Sequence, residues 1–557
     1  MVTRDETGLD IVRGYHERTK HRIDAYAASP GYLDWATQPD PFRTFDGADA
    51  VDLPHPELRD APTYDGLFGA APAPLALDAA FVGRLFFHAL ALSAWKQVPG
   101  SRPWSLRINP SSGALHPTEA YLLGGPIPGL ADEPGLYHYA PLHHRLERRR
   151  RLPVPEWDAL GAGLPSPRLL VGLTSIHWRE AWKYGERAFR YCHHDVGHAL
   201  GAIALAARTL GWEARVLADA PSRALDRLLG AHLQSGPEAE HGDALLVLAP
   251  LEPGRDASFA AGFRLGDGRA PGGDADFAGR PNRLSPDHRS WPAIGEVACA
   301  VHEAPDGGAA PVPPSEPVPS SEPVPSPRPD RGLPAEAIIR QRRSAVAMDG
   351  ETALGRDAVY RILERILPSS FPFAVLDGPP RISLVVFVHR VDGLAPGLYA
   401  LARDPSHESS LRASLDADFS WRTPDGCPDG LSLHLLRRGD LRSVARTVSC
   451  HQDIAADGVF SLGMLARFEA ALGAEGPAAY PRLFWEAGLV GQLLYLEAEA
   501  AGVRGTGIGC FFDDEVHDLL GLGDQAWQSL YHFTVGGPIE DPRLQTLPPY
   551  AHLERRG

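Results

Sequence analysis

The sequence predicts an α+β protein in which two tandem domains, each an α/β sandwich, pack against each other as an intrachain pseudo-dimer. Three observations support this fold class. A proline-rich segment divides the 557-residue chain, a pattern of residues in the first part recurs in the second, and short apolar segments alternate with long apolar helical ones in both parts. The predicted domains are residues 1–300 and 333–557, and residues 301–332 form the predicted linker.

The linker is identified by its composition. Between about Ala309 and Gly332 the chain contains the run Pro-Val-Pro-Pro-Ser-Glu-Pro-Val-Pro-Ser-Ser-Glu-Pro-Val-Pro-Ser-Pro-Arg-Pro. Proline removes backbone hydrogen-bond donors and favours an extended polyproline II conformation. The segment is therefore predicted to be a semi-rigid spacer that does not pack as a core.

The repeat is visible at two places. Residues 134–137 (Pro-Gly-Leu-Tyr) recur as residues 396–399, and residues 195–201 match residues 486–492 at an offset of 291. The second pair of segments is long, apolar and rich in alanine, as expected of a buried helix. Its small residues, which would let another helix approach closely, are Gly197, Gly201, Gly488 and Gly491. Because duplication within one chain usually recreates the two-fold interface of a homodimer, we expect these helices to meet.

The alternation of elements indicates the α+β class. Short apolar segments such as residues 244–248 and 384–389 have the length and branched residues of strands, and they alternate with the long helical patterns. Each domain is therefore predicted to combine a sheet with helices.

Composition excludes several classes of function. The formal net charge of -16 disfavours binding to a nucleic acid backbone, and no segment approaches the roughly 20 apolar residues of a membrane helix. The N-terminus has no secretory pattern. Five cysteines without CxxC spacing argue against a zinc ribbon or a disulfide framework. A reducing, cytoplasmic location is expected.

Three segments of the first domain carry residues suited to chemistry. Residues 15–21 are predicted to be a polar, basic start of a helix. Residues 107–121 contain hydroxyls and glycine and are predicted to be a turn that enters a helix, where free N–H groups suit an anionic or carbonyl-rich ligand. Residues 182–190 place the amine of Lys183 beside the phenol of Tyr184. Local chemistry leaves simpler interpretations open: a plain helix cap, and a surface lysine with a half-buried tyrosine.

Lysine usage adds weight to Lys183. The chain has 54 lysines and arginines, and Lys20, Lys96 and Lys183 are its lysines. A desolvated ammonium group can lose its proton, whereas a guanidinium effectively cannot. A lysine in this chain is therefore a candidate for a role that arginine cannot fill.

Taken together and in order, these segments resemble the SagB/ThcOx-type dehydrogenases, the thiazole/oxazole oxidase branch of the nitroreductase superfamily. The resemblance covers most of residues 11–300. The segments that carry it are 15–21, 109–117 with Glu119 and Tyr121, 135–139, 183–190 with Gly197-His198, and 281–285.

The second domain resembles the nitroreductase superfamily more generally. Residues 339–344 look like its Arg-x-Ser phosphate segment, residues 368–370 like its Pro-Ser-Ser flavin-edge loop, and residues 505–509 like its late glycine segment. Two departures stand out. Val346 replaces a residue that is often basic, and Ala474 occupies the position equivalent to Lys183. We therefore expect one competent centre and one degenerate centre.

The resemblance implies FMN bound between the two domains. The residues implied to bind it are Arg107, Asn109, Ser111, Ser112, Gly113, Arg342, Arg343, Ser344, Gly507 and Gly509. A phosphate site within the first domain, built from Arg18, Lys20 and Arg107, stays open as an alternative. No metal is expected, because the His193–His198 segment lacks the glutamate of an HExxH zinc motif.

The resemblance also implies oxidation of an azoline ring, in a modified peptide or related secondary metabolite, to the azole. Lys183 would remove a ring-carbon proton with the help of Tyr184 while a hydride passes to the flavin, which oxygen then reoxidises. An ordinary lysine pKa of about 10.4 leaves the amine protonated at neutral pH, so the site must desolvate it or place a cation near it. The candidate cations are Arg179, Arg187 and Arg190.

Two other functions stay open. An NAD(P)H-dependent reductase of nitro groups or quinones would use the same cofactor without needing Lys183 and Tyr184. A non-catalytic scaffold subunit of a biosynthetic complex would need no flavin. The expected partners are a small-molecule or modified-peptide substrate and a biosynthetic complex, with neither nucleic acid nor membrane.

Overall fold

The computed structural model describes residues 4–57, 62–70, 72–217, 220–252, 265, 276–302, 330–376 and 378–554. Residues 303–329, which include most of the predicted linker, lie outside the described residues. Within the described ranges, no helix combines the length and apolar character needed to cross a membrane.

The helices are distributed over both halves of the chain. In chain order they are α1 Arg4–Arg18, α2 Ala79–Ala89, α3 Val154–Leu160, α4 His177–Tyr184, α5 Ala188–Thr209, α6 Ser222–Leu229, α7 Pro292–His302, α8 Ala335–Gln341, α9 Arg356–Arg365, α10 Glu408–Ser414, α11 Arg442–Val448, α12 Ile454–Asp457, α13 Phe468–Glu475, α14 Ala479–Ala500, α15 Asp513–Leu520 and α16 Ala551–Glu554.

The strands alternate with these helices. In chain order they are β1 Phe45–Asp46, β2 Asp49–Asp52, β3 Leu92–Gln97, β4 Trp104–Arg107, β5 Thr118–Gly124, β6 Gly135–Ala140, β7 Arg145–Arg151, β8 Leu169–Ser175, β9 Trp212–Val216, β10 His241–Pro250, β11 Arg280–Pro281, β12 Leu354–Gly355, β13 Ile382–Val388, β14 Val391–Asp392, β15 Gly397–Leu401, β16 Leu433–Arg438, β17 Phe460–Arg467, β18 Arg504–Ile508, β19 Trp527–Gly536 and β20 Gln545–Leu547.

Two antiparallel sheets with the same strand order form the framework. Among the described residues, the first has the order β2-β7-β6-β5-β8-β10-β9 and the second the order β16-β15-β13-β17-β19-β18. The second sheet repeats the first strand for strand, apart from the edge strand β2. The predicted α+β fold with two tandem copies is therefore confirmed.

The central helices α5 and α14 lie between the sheets and pack against each other. Each has 22 residues, and α14 begins and ends 291 residues after α5. The predicted close approach is also confirmed, because a Cβ atom built on Gly197 would lie 2.9 Å from the Cα of Gly488 and 2.2 Å from the carbonyl oxygen of Trp485. Side chains at these glycines would force the helices apart.

Segments at the ends of each half pack on the other half. Helix α1 lies against the second half, where Arg13 pairs with Glu469 of α13 at 2.7 Å. Helix α8 lies against the first half, where Arg84 pairs with Glu336 at 2.5 Å. Strand β20, near the C-terminus, pairs with β3. Each half thus contributes a segment that packs on the other half, and one apolar core contains residues of both.

Two local predictions are wrong. Residues 15–21 do not start a helix, because α1 begins upstream and ends at Arg18. Val12, Tyr15, His16 and Thr19 are buried at the spacing of one helical face, and the hydroxyl of Thr19 donates to the carbonyl of Tyr15 at 2.7 Å. Residues 107–121 do not enter a helix either. Positive φ angles at Gly113, Ala114 and His116 are incompatible with a continuing helix, and the chain turns into β5 instead.

Candidate functional site

The turn before β5 contacts the end of α4. A Cβ atom built on Gly113 would lie 2.8 Å from the Tyr184 hydroxyl and 3.0 Å from the Lys183 amine nitrogen. Gly113 has φ 63°, a conformation that glycine adopts without strain. The two predicted catalytic residues are thus within contact of the predicted serine turn, and both are half-buried.

Two buried carboxyl groups, which sequence reasoning did not single out, lie beneath this turn. Glu180 comes from α4 and Asp195 from α5, and both are almost completely buried. The Ser112 amide donates to Asp195 Oδ1 at 3.2 Å, and the Ser111 hydroxyl donates to Glu180 Oε1 at 3.5 Å. Their other oxygens, Glu180 Oε2 and Asp195 Oδ2, are buried without a hydrogen-bond partner among the described atoms.

Burial controls the protonation of the acidic side chains around this turn. Desolvation raises the pKa of Asp195 to about 7. Desolvation and the nearby Asp195 raise the pKa of Glu180 well above its ordinary value. Burial, followed by the charge of Glu180, also raises the pKa of Tyr184, so its phenol keeps its proton at neutral pH. The site therefore offers protonated oxygen acids beside Lys183.

The predicted cations near Lys183 are each paired with a carboxylate. Arg187 and Arg190 each contact Asp513 at 2.9 Å, and Arg179 contacts Glu119. None of these three guanidinium groups presents an unpaired charge to Lys183, whereas Glu180 interacts with it directly. These buried arginines neutralise buried acids, and the activating cation expected from this set stays a prediction.

The second half brings its Arg-x-Ser segment to the same interface. The guanidinium of Arg342 donates to the carbonyls of Arg107 and Ile108 at 3.1 and 3.2 Å. These carbonyls directly precede Asn109, whose buried Oδ1 has no partner among the described atoms. The contact fixes the end of α8 against the strand that leads into the serine turn.

Positive charge is concentrated at this end of α8. Burial, followed by the neighbouring Arg342, lowers the pKa of Arg343 to about 10, and Arg504 contributes further repulsion. The Arg343 guanidinium donates to backbone carbonyls of Arg340, Arg342 and Ser93. Arg504 itself pairs with Glu499 and Glu540, so the positive charge that would favour an anion here comes from Arg342 and Arg343.

Ser344 connects this segment to the glycine strand β18. The Ser344 hydroxyl lies 3.0 Å from the Tyr495 hydroxyl, which accepts a hydrogen bond from the Gly507 amide at 2.9 Å. A Cβ atom on Gly507 would lie 1.9 Å from the Tyr531 hydroxyl, and one on Gly509 would lie 2.0 Å from Tyr191 Cε1. Side chains at either glycine would collide with these rings.

Aromatic rings connect the two sides of the site. Tyr191 lies with its ring centroid 4.4 Å from that of Tyr184. The ring of Tyr531 stacks on His194 at 4.2 Å, and its hydroxyl lies 3.2 Å from His198 Nε2. Both ring nitrogens of His194 are buried without a partner among the described atoms. The glycine strand of one half thus faces the lysine–tyrosine pair of the other.

Some predicted residues are engaged elsewhere. The Arg107 guanidinium is buried and donates to the carbonyls of Pro41 and Thr118, so its contact with the interface is through its own carbonyl. Of the alternative phosphate residues, Arg18 pairs with Glu186 at 2.5 Å and Lys20 with Glu17 at 2.9 Å. Their charges are already neutralised by acidic side chains.

The equivalent location in the second half differs. Glu486 occupies the position of Asp195, and it accepts hydrogen bonds from the guanidinium of Arg403 at 2.5 Å and the backbone amide of Arg381 at 2.8 Å. Ala474 and Glu475 occupy the positions of Lys183 and Tyr184. Glu475 forms an ion pair with Arg381. This side of the pseudo-dimer has a satisfied ion-pair network in place of the amine, phenol and unpartnered acid.

Comparison with known proteins agrees with this architecture. The profile of the Nitroreductase family matches residues 436–537. A crystal structure of a candidate nitroreductase from Anabaena variabilis is 23% identical, with a TM-score of 0.67, and the match covers 95% of this chain and 99% of that one. The chain has the nitroreductase-like α+β fold.

Two curated proteins are similar over shorter segments. A candidate nitroreductase of Methanocaldococcus jannaschii is 34% identical over 18% of this chain, and the trifolitoxin-processing protein TfxB of Rhizobium leguminosarum bv. trifolii is 31% identical over 25% of it. The matches span 52% and 40% of the length of these relatives, respectively. The sequence similarity to these relatives is therefore confined to part of each protein.

Proposed function

We propose that this protein is an FMN-dependent oxidoreductase that dehydrogenates an azoline-type ring in a modified peptide or related secondary metabolite. The observation that carries the proposal is the contact of Lys183 and Tyr184 with Gly113, opposite the glycine strand of the other half. The match of residues 436–537 to the Nitroreductase family and the nitroreductase-like fold support an oxidoreductase. The similarity to TfxB, a trifolitoxin-processing protein, supports a role in processing a biosynthetic product.

The residues at the interface fit FMN. Arg342, Arg343 and Ser344 provide cationic and hydroxyl groups for a phosphate, at the end of a helix where buried arginines repel one another. Gly507, in β18, and Gly509, just after it, pack against the rings of Tyr531 and Tyr191, so they would contribute to a flavin site through their backbone atoms. Asn109 and the serine turn offer polar atoms, including the unpartnered Asn109 Oδ1, for the polar ring edge. Bound FMN would supply a two-electron hydride acceptor.

The chain's own residues would handle the proton. Lys183 is the base that would take the proton from the ring carbon that is oxidised. Tyr184, whose phenol stays protonated, donates a hydrogen bond that orients the heterocycle. Asp195, whose pKa of about 7 leaves it partly ionised at neutral pH, bonds to the same turn and can hold a proton before it returns to solvent.

The experiment combines a spectrum with a defined substrate. Purified protein should show the yellow absorbance of a flavin, and mass spectrometry of the released cofactor should identify FMN. Anaerobic addition of a synthetic thiazoline-containing peptide should bleach the absorbance, while the peptide loses two hydrogen atoms. Protein without flavin would instead favour a scaffold subunit, and bleaching by NADPH together with nitro or quinone reduction, but not by the thiazoline, would favour the reductase.

A further inference from the structure

Cys450 and Cys510, 60 residues apart in the sequence, come together beside the candidate site. Their Sγ atoms lie 2.7 Å apart, within contact distance. Cys450 lies in the turn between α11 and α12, and Cys510 follows Gly509 after β18. Both residues are partly exposed. The other three cysteines, all within the described residues, form no such pair.

The surroundings favour a thiolate at Cys510. The ionisable groups that face the pair are His21, Tyr26, Arg187 and Tyr191. The Cys450 thiol, together with His21 and Arg187, lowers the pKa of Cys510 to about 5, while the pKa of Cys450 is raised. A thiolate next to a protonated thiol is the arrangement in which one cysteine attacks and the other resolves.

The other cysteines have different surroundings. Cys192 is buried in α5, and desolvation raises the pKa of its thiol well above the ordinary value. Cys427 is half-buried and its sulfur contacts the backbone carbonyls of Pro428 and Leu431. Cys299 is exposed. It therefore serves as the internal reference for an accessible thiol.

We propose that Cys450 and Cys510 form a redox-active dithiol that closes reversibly to a disulfide by exchange with small-molecule disulfides. The Cys510 thiolate attacks one sulfur of the small disulfide, forms a mixed disulfide and releases one small thiolate. Cys450 then loses its proton and attacks the Cys510 sulfur, which forms the protein disulfide and releases the second thiolate. Two protein thiols are oxidised and one small disulfide is reduced to two thiols, so atoms and electrons balance.

The consequence is a covalent link beside the glycine strand. Gln452 already donates a hydrogen bond from its side-chain amide to the Cys510 carbonyl at 3.0 Å, so the two segments are held together before any bond forms. Disulfide closure would tie the residues after β18 to the α11–α12 turn. This inference does not depend on which substrate the site accepts.

The test uses the wild-type chain with oxidised and reduced glutathione as the probe. After equilibration at a series of glutathione ratios, free thiols are alkylated and every cysteine is quantified by mass spectrometry. Cys450 and Cys510 should lose alkylation together, a peptide that links them should appear, and dithiothreitol should restore both. Alkylation of Cys299 should not follow their transition. Retention of both free thiols, or a glutathione adduct on Cys510 without closure, would overturn the proposal.

A variant separates the roles of the two cysteines. In Cys450→Ser, with His21 and Arg187 still in place, Cys510 should react with iodoacetamide at pH 6.5 about tenfold faster than Cys299 in the same sample. Mixed disulfides should accumulate in this variant because the resolving thiol is missing. A Cys510 that forms no mixed disulfide with glutathione in this variant would rule out its assignment as the attacking thiol.

Discussion

Gly197 and Gly488 occupy equivalent positions in α5 and α14, and they contact each other. A Cβ atom on Gly488 would lie 3.0 Å from the Cα of Gly197 and 2.2 Å from the carbonyl oxygen of His194. When equivalent residues of two copies touch, the axis that relates the copies passes between them. The contact therefore locates the pseudo-two-fold axis of the chain.

The first prediction tests this contact. Gly488→Ala should destabilise the protein by about 1–3 kcal/mol, because the added methyl group collides with rigid helix backbone. The matched control is Gly295→Ala in α7, where an added Cβ atom would meet nothing within 4 Å. The control should be neutral or slightly stabilising. Urea unfolding of both variants measures the difference, and equal stabilities would contradict the packing.

The second prediction concerns the amine. Lys183→Ala should lower kcat on the thiazoline peptide about 10²–10⁴-fold, the range for loss of a general base, and leave the flavin-to-chain ratio unchanged. Lys20→Ala removes a lysine that is paired with Glu17 and Asp514, and should change neither quantity. If flavin is lost together with activity in Lys183→Ala, the lysine has a structural role instead.

The third prediction concerns the buried acid Asp195. Its folded-state pKa of about 7 lies above the ordinary unfolded value of about 3.9, so the folded state binds the proton more tightly. Stability should therefore fall as pH rises from about 4 through 7. Asp195→Asn removes this titration. The stability of the variant relative to wild type should therefore be higher at pH 8 than at pH 5. Thermal unfolding at the two pH values measures this, and parallel curves would contradict the assigned shift.

The fourth prediction concerns the second half. Arg403→Met should destabilise the protein by about 3–5 kcal/mol, because it leaves the buried carboxylate of Glu486 without its partner. Arg403→Met combined with Glu486→Gln should regain part of that loss. Turnover per folded molecule should stay at the wild-type level in both, since this region lacks the amine and phenol. A proportional loss of turnover would indicate that the second half also contributes to catalysis.

The fifth prediction addresses the phosphate site. Arg342→Ala and Ser344→Ala should both lower the flavin-to-chain ratio, whereas Arg18→Ala should not, because Arg18 is paired with Glu186. Ser344→Ala separates flavin binding from folding. Ser344 contacts the hydroxyl of Tyr495 and takes no part in the hydrogen bonds from Arg342 to the first half. Circular dichroism checks the fold of each variant. Flavin loss in Arg18→Ala alone would move the phosphate site to the first half.

The sequence was informative where a repeat or a short-range pattern determines structure. The offset of 291 located both central helices because their small residues at Gly197 and Gly488 are required by packing. The arrangement of Lys183 and Tyr184 before α5 could also be predicted, since a glycine separates two helical segments there. The first feature is visible through the internal repeat, and the second depends on neighbours in the chain.

Features set by tertiary contact were missed. The high pKa of Asp195 arises from burial under the serine turn, which no local pattern encodes. An acidic residue within a helix that the repeat predicts to be buried was the available signal. The pairing of Cys450 with Cys510 and the neutralisation of Arg187 by Asp513 likewise join segments that are distant in sequence. The turn after Arg107 was misread because positive φ angles at Ala114 and His116 are unusual for these residue types.

The strict correspondence of α5 and α14 within one polypeptide has an evolutionary consequence. A homodimer encoded by a single gene places every substitution in both of its clefts at once, so neither can drift without the other. Fusion into one chain removes that constraint. Ala474 could replace the lysine, and Arg403 could neutralise the acid, on one side alone. The cleft beside Ala474 can therefore change without altering the cleft beside Lys183.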